Sequence, residues 1–187
     1  MEAVHFTQQT FRLLMDSFAR PGEKQMLQHE RQMEGLYNAT AAALLTLVDG
    51  EVSFYVKDET LQREVRAWTN AKLVTDEQAD FIILPANSTV EEVEAIIEQA
   101  KIGTLIDPQQ SATIILEMTR EEETAFVLRG PGIKGERQMK AHFMPQWLAA
   151  RAQKNREFPL GIDIICVYED GAVFVLPRTT NIQEVNN

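Results

Sequence analysis

Apolar residues recur along this chain at two different spacings, and the change from one to the other organises the reading. After Thr7, Phe11, Leu14, Met15 and Phe18 fall at helical intervals until Pro21-Gly22 ends the run, which places these four on one buried face. Asn38 reads as the N-cap of a second helix over residues 39–48, closed by Asp49-Gly50. That helix is apolar nearly all round, so it belongs deep in a core. Residues 53–56 read as a short strand, and Asp58 as the cap of a helix carrying Leu61, Val65 and Trp68 inward. Phe81-Ile82-Ile83-Leu84 is a continuous apolar strand stopped by Pro85. Ser88-Thr89-Val90-Glu91 then spells a capping box, opening a helix with Val90, Val93, Ile96 and Ile97 inward and Gly103 as its stop.

The second half turns to strands. Residues 112–118 and 125–128 are strands joined across the charged loop Arg120-Glu121-Glu122-Glu123, and Pro145 suits the first turn of a helix over 146–154. Residues 162–168 and 172–176 flank Asp170-Gly171, the pattern of a two-residue type I′ hairpin. That register sets Glu169 opposite Ala172, Cys166 opposite Val175 and Asp163 opposite Arg178. Strands apolar without alternation are covered on both faces. The expectation is an α/β fold, a three-layer α/β/α sandwich with a mixed sheet. No repeat, linker or composition shift divides the chain, so a single domain over 1–187 is expected.

Composition narrows the partners. Asp and Glu number 28 against 18 Lys and Arg, a formal net charge of -10. An acidic chain repels nucleic-acid phosphates and anionic lipid headgroups, so neither nucleic acid nor membrane is expected as a partner. The lone cysteine, Cys166, excludes an intramolecular disulfide and sits in the apolar run Ile164-Ile165-Cys166-Val167, a core setting. The first residues lack a basic segment followed by an apolar one, and no apolar run approaches the ~18 residues of a membrane span. A cytoplasmic protein is the resulting expectation.

Candidate chemistry is sparse. The Asp163–Arg178 pair has two readings: an ion pair closing the open end of the hairpin, or an anion-binding cluster of Arg178, Thr179 and Thr180, joined by Arg20. Arginine suits a phosphate or phosphonate because its planar fork donates two parallel hydrogen bonds. Gly130-Pro131-Gly132-Ile133-Lys134-Gly135 spells G-x-G-x-x-G, but a dinucleotide site needs a helix next and an acidic residue ending a second strand about 20 positions on. Glu136-Arg137 in place of Lys-Ser/Thr excludes a P-loop, leaving a glycine turn after a strand. His5, His29 and His142 have no ligand spacing, and no Gly-x-Ser-x-Gly elbow occurs. No catalytic residue and no metal site is expected.

Six stretches taken in order carry a resemblance. They are Phe11-Arg12-Leu13-Leu14-Met15 with Ala19-Arg20-Pro21-Gly22; Ala41-Ala42-Ala43-Leu44-Leu45-Thr46-Leu47-Val48-Asp49; Thr69-Asn70-Ala71; Gly130-Pro131-Gly132-Ile133; Phe158-Pro159-Leu160-Gly161-Ile162-Asp163; and Leu176-Pro177-Arg178-Thr179-Thr180. From about Phe6 to Thr180 the chain resembles the PhnH family, the H subunit of the carbon–phosphorus lyase system of phosphonate utilisation.

The resemblance implies a fold like the large domain of pyridoxal-phosphate-dependent transferases, without the cofactor. It also implies a homodimer that joins G, I and J subunits in a core complex. That complex attaches an alkylphosphonate to the ribose of a nucleoside triphosphate, displacing the purine and giving ribose 1-alkylphosphonate 5-triphosphate. No catalytic residue of the H subunit carries over. Arg20, Asn70, Asp163, Arg178, Thr179 and Thr180 stand as ligand or interface candidates. Pro21, Gly22, Gly130, Gly132, Pro159, Gly161 and the hairpin's Gly171 stand as structural turns. The competing readings are a stand-alone anion-binding transferase and a degenerate pyridoxal-phosphate-fold protein that keeps its cofactor.

Overall fold

The computed structural model describes residues 2–27, 32–120 and 123–185, with side chains from His5 onward. The chain runs α1 (Glu2–Ala19), β1 (Gln25–Met26), α2 (Asn38–Leu47), β2 (Ser53–Tyr55), α3 (Glu59–Thr69), β3 (Lys72–Leu73), β4 (Phe81–Leu84) and α4 (Val90–Gln99). A short 3₁₀ turn (Pro108–Gln110) precedes β5 (Thr113–Met118), β6 (Thr124–Arg129), β7 (Arg137–Ala141) and α5 (Pro145–Lys154). The chain then forms β8 (Asp163–Tyr168), β9 (Ala172–Leu176) and β10 (Asn181–Glu184).

Seven strands form one mixed sheet in the order β1-β9-β8-β5-β4-β2-β3. From β3 to β8 the pairings are parallel, whereas β9 runs against both β8 and β1. The apolar strands divide their side chains strictly between the two faces. Ile82, Ile114, Ile164 and Cys166 enter a core covered by α4, α5 and a second, smaller sheet. Ile83, Ile115, Ile165 and Val167 enter the opposite core, beneath α1, α2 and α3. Covering both faces is what removes polar alternation from these strands, as the sequence indicated.

The smaller sheet, β10-β6-β7, is antiparallel and was not legible in the chain. In β7 only Met139 and Ala141 turn inward, between exposed Gln138 and Lys140, so its apolar content is too thin to register. The strands around 112–118 and 125–128 therefore belong to different sheets. Within the loop joining them, Glu121 and Glu122 lie outside the described residues, as do His29 and Glu30.

Several local expectations shift. Helix α1 buries Thr10, Leu14 and Ser17, while Phe11 and Met15 stay about half exposed. The partner helix α2 presents alanines, and short side chains on both helices permit an approach that a phenylalanine would prevent. Trp68 is likewise largely exposed. Helix α3 begins as expected, with the Asp58 carboxylate accepting from the Thr60 and Leu61 amides. The capping box on α4 is displaced by one residue: Thr89 is the N-cap and Glu92 its reciprocal partner. That helix closes at Ala100, and Gly103 belongs to the following turn.

The terminal hairpin also differs from the two-residue turn. Observed pairs are Ile165–Val175, Cys166–Phe174 and Val167–Val173, so the loop is Glu169-Asp170-Gly171. The Gly171 amide donates to the Tyr168 carbonyl at 3.0 Å, and Gly171 has φ 88°. This is the three-residue loop that ends with a left-handed glycine. One more step along the ladder sets Asp163 opposite Pro177 rather than Arg178.

Helix α2 lacks a side-chain cap of its own, since Tyr37 precedes it. Buried Glu117 of β5 fills that role, accepting from the Tyr37 amide at 2.6 Å and the Ala86 amide at 3.0 Å, beside the Thr40 hydroxyl. Burial pushes this carboxyl above the usual range, and the nearby Thr40 hydroxyl and the bonds from the Tyr37 and Ala86 amides offset that only in part. E117A leaves two part-buried amides without their acceptor and is expected to lower the unfolding free energy by about 1–3 kcal/mol in urea titration. The folded state holds this proton more tightly than the unfolded chain does. Stability from this group is therefore full below the unfolded carboxylate range and declines as pH rises from there through the higher folded-state value. E117Q should remove that decline; an unchanged pH profile would contradict the assignment.

Candidate functional site

Three of the quoted motif stretches meet where β9 ends, beside the starting ends of β5 and β8. Arg178 is the centre of this meeting. Its Nε and Nη2 reach the Asp163 carboxylate, and its Nη2 also reaches the Ser111 hydroxyl. Its Nη1 donates to the carbonyls of Pro108 at 2.9 Å and Pro159 at 3.4 Å. The Asp163 carboxylate further accepts from the Arg178 amide at 2.7 Å. Both side chains are largely buried, at 17% and 14% exposure. A guanidinium carries five N–H donors, and five contacts engage them. The pair foreseen from the hairpin is real although the register behind it was off by one. The long arginine side chain spans the diagonal.

Two further arginines hold the same region together. Arg151 of α5 is almost fully buried and donates to the carbonyls of Leu176, Pro177 and Thr180. Burial pulls its pKa down to about 10, so it stays charged at neutral pH with carbonyl oxygens, not a carboxylate, as its direct partners. Arg137 of β7 donates to the carbonyls of Arg20 at 3.1 Å and Pro21 at 2.8 Å. Sequence reasoning missed both, and it missed Ser111. An arginine that serves distant carbonyls carries no local spacing signal.

The glycine segment packs into this arrangement. At Gly132 (φ 81°) a Cβ would stand 2.2 Å from the Ala19 carbonyl, and at Gly130 it would stand 2.7 Å from the Thr179 carbonyl. Gly135 meets nothing, and β7 follows the segment, not a helix. The G-x-G-x-x-G spelling is a packing device. Pro21 and Gly22 are buried beside it, with the Gly22 amide on the Val175 carbonyl. Pro159 contributes its carbonyl to Arg178, and the Gly161 amide donates to Ile102.

The remaining candidates divide. Thr179 is half-buried against Gly130, and Thr180 is buried with a hydroxyl that has no hydrogen-bond partner among the described residues. Arg20 lies on the surface, paired with Asp16 at 3.0 Å and Glu23 at 3.5 Å. Asn70 is elsewhere: it is the left-handed C-cap of α3, with φ 59°. The four-residue anion cluster is therefore not assembled. Cys166 is fully buried, and burial pushes its thiol well above the ordinary range, away from nucleophilic use.

An open cleft of about 590 Å³ lies at the start of α2, lined by Gln32, Glu34, Asn38 and Glu64 among others. Among the described residues its lining holds two carboxylates and no cation, which suits it poorly to a phosphorylated ligand. Among the described residues, no three His, Cys, Asp or Glu side chains are grouped to hold a metal.

Comparison with known proteins places this geometry in context. Residues 1–183 match the family model described as bacterial phosphonate metabolism protein (PhnH). The chain is similar to a putative C-P lyase subunit protein, HtxG, of Stutzerimonas stutzeri, with 31% identity over 94% of this chain and 85% of that relative. It is also similar to the alpha-D-ribose 1-methylphosphonate 5-triphosphate synthase subunit PhnH of Rhizobium meliloti (strain 1021), with 31% identity over 97% of this chain and 92% of the relative.

R178A leaves Asp163 buried without its partner and is expected to destabilise the protein by about 3–5 kcal/mol. R178K should restore only part, because an ammonium has three donors and no planar fork. Inorganic phosphate should leave the wild-type Tm unchanged, since Arg178 has no donor to offer it. A clear phosphate-dependent rise in Tm that R178K abolishes would contradict the structural role.

Proposed function

Because the chain belongs to the PhnH family of bacterial phosphonate metabolism proteins, we propose that it is a subunit of a carbon–phosphorus lyase core complex. In this reading it works with G, I and J subunits, in the cytoplasm, and forms a homodimer within the assembly. The complex would join an alkylphosphonate to the ribose of a nucleoside triphosphate, displacing the purine and giving ribose 1-alkylphosphonate 5-triphosphate. The carrying observation is the family match over nearly the whole chain. Two relatives whose names make them subunits of such systems add support.

The geometry supports a role without independent catalysis. The most polar buried centre is closed on itself at Arg178, and the open cleft is acidic. Several large apolar side chains are exposed instead: Phe11, Met15, Leu105, Ile106 and Phe158. That distribution suits a chain that completes its surface against partners. The occupied Arg178 donors count against the stand-alone anion-binding transferase.

We also propose the likeness to the large domain of pyridoxal-phosphate-dependent transferases, which the mixed seven-stranded sheet with helices on both faces favours. The degenerate enzyme that keeps the cofactor is less supported by the lysines. Lys101 is tied to Asp80, Lys57 to Glu92, and Lys154 to the Ala100 carbonyl. Lys72, Lys134 and Lys140 are exposed.

Tagged chain recovered from cells grown on methylphosphonate as sole phosphorus source should bring down G, I and J subunits in fixed stoichiometry. Native mass should show a single assembly larger than a homodimer. In a reconstituted mixture, omitting this chain should lower purine release from the nucleoside triphosphate at least tenfold. Recovery of the free homodimer alone, with undiminished purine release without it, would contradict the reading.

A further inference from the structure

We propose that Leu105, Ile106 and Phe158 form one rigid docking face that inserts into an apolar hollow on a different subunit; this rests on the complex reading above. The three are 68%, 89% and 76% exposed. Single exposed apolar residues are ordinary, but these three lie on two loops tied to the same arginine. Leu105 and Ile106 occupy the tip of a turn closed by the Thr104 amide on the Asp107 carbonyl at 3.2 Å. The Asp107 amide returns to the Thr104 hydroxyl at 2.9 Å.

The turn is joined to the Phe158 loop at its base. Pro108, just beyond the turn, and Pro159, just beyond Phe158, both offer their carbonyls to the same nitrogen of Arg178. The Gly161 amide adds a second tie, to the Ile102 carbonyl at 3.1 Å. Hydrogen bonds therefore hold these loops in place while their apolar tips face outward. Surface ordered before binding loses little entropy on binding, which favours a specific partner.

The shape and charge select the occupant. A two-fold contact would need this protruding face to be complementary to itself. The three side chains offer about 400 Å² together, about half of what one partner contributes to a stable interface, so they suit the anchoring centre of a wider contact. A second copy carries the same net charge of -10, and the open cleft it could offer is lined by Glu34 and Glu64. Asp107, Arg156 and Glu157 flank the face and form a mixed polar rim. The fitting partner is a different chain with a concave apolar pocket and no excess of negative charge around it.

The test co-expresses the tagged chain with the G, I and J subunits and compares L105S/I106S/F158S with F11S/M15S. The second variant removes a smaller exposed apolar area, about half of each of two side chains, from the outer face of α1. The triple variant should keep the wild-type Tm, since its altered side chains are mostly solvated, and F11S/M15S should stay folded with a lower Tm, since Phe11 and Met15 are about half exposed. Incorporation of the triple variant into the assembly should fall at least tenfold, with the isolated chain's native mass unchanged and F11S/M15S incorporated normally. Wild-type incorporation of the triple variant would overturn the docking face while leaving the complex reading intact. Conversion of an isolated dimer to a monomer by the triple variant would also overturn it, because the face would then be a contact between copies. Failure of the wild-type chain itself to assemble would overturn the complex reading and the docking face with it.

Discussion

The guanidinium of Arg178 is the constraint on which this end of the molecule depends. Five donors meet acceptors from two places in the sequence, Pro108 and Ser111 before β5 and Pro159 and Asp163 at the start of β8, and Asp163 also accepts from the Arg178 backbone amide. None of these contacts is dispensable to the others. Removing the carboxylate would leave a charge in a largely buried site, and removing the arginine side chain would leave two loop carbonyls without that donor and a carboxylate with only the backbone amide of residue 178. Reciprocal dependence of this kind fixes geometry more strictly than apolar contact does. It also explains why the arginine is a poor anion receptor: the fork that would recognise a phosphonate is already filled.

The rest of the architecture brings those loops together. Parallel β5 and β8 begin side by side, and β9 returns antiparallel, so its end arrives beside their starts. At the opposite end of the sheet, Glu117 plays an analogous part, tying the start of α2 to the loop after β4. Each end thus has a largely buried ionisable group that ties together loops of otherwise independent course. The two faces between them are conventional apolar cores, which carry most of the stability but specify none of the surface features.

Much of this was legible in the chain, and the parts that were not share a cause. The strands 81–84, 113–118 and 163–168 announce themselves by continuous apolar runs, because burial on both faces leaves no polar positions. Asp58 and the glycines at 130 and 132 could be placed because each meets a local requirement. The Asp163–Arg178 pair was foreseen through a register that proved one residue off. A three-residue loop and a two-residue loop look alike around Asp170-Gly171, and the difference is settled by the Gly171 backbone bond to Tyr168 and by Leu27 packed against it. Arg137, Arg151, Glu117 and Ser111 gave no signal because their partners lie 25 to 117 positions away. Phe11 and Met15 were assigned inward by periodicity alone, but the alanine face of α2 selected the neighbouring stripe.

The central claim is that Arg178 organises the loops around residues 102–111 and 158–163 instead of receiving a ligand. Backbone hydrogen–deuterium exchange on the wild type and R178K tests it most directly. The account predicts faster exchange in those two loops in R178K, with β4, β5 and β8 still protected, and no protection added by phosphate or methylphosphonate in the wild type. Unchanged exchange in the loops, together with ligand-dependent protection that R178K removes, would contradict it.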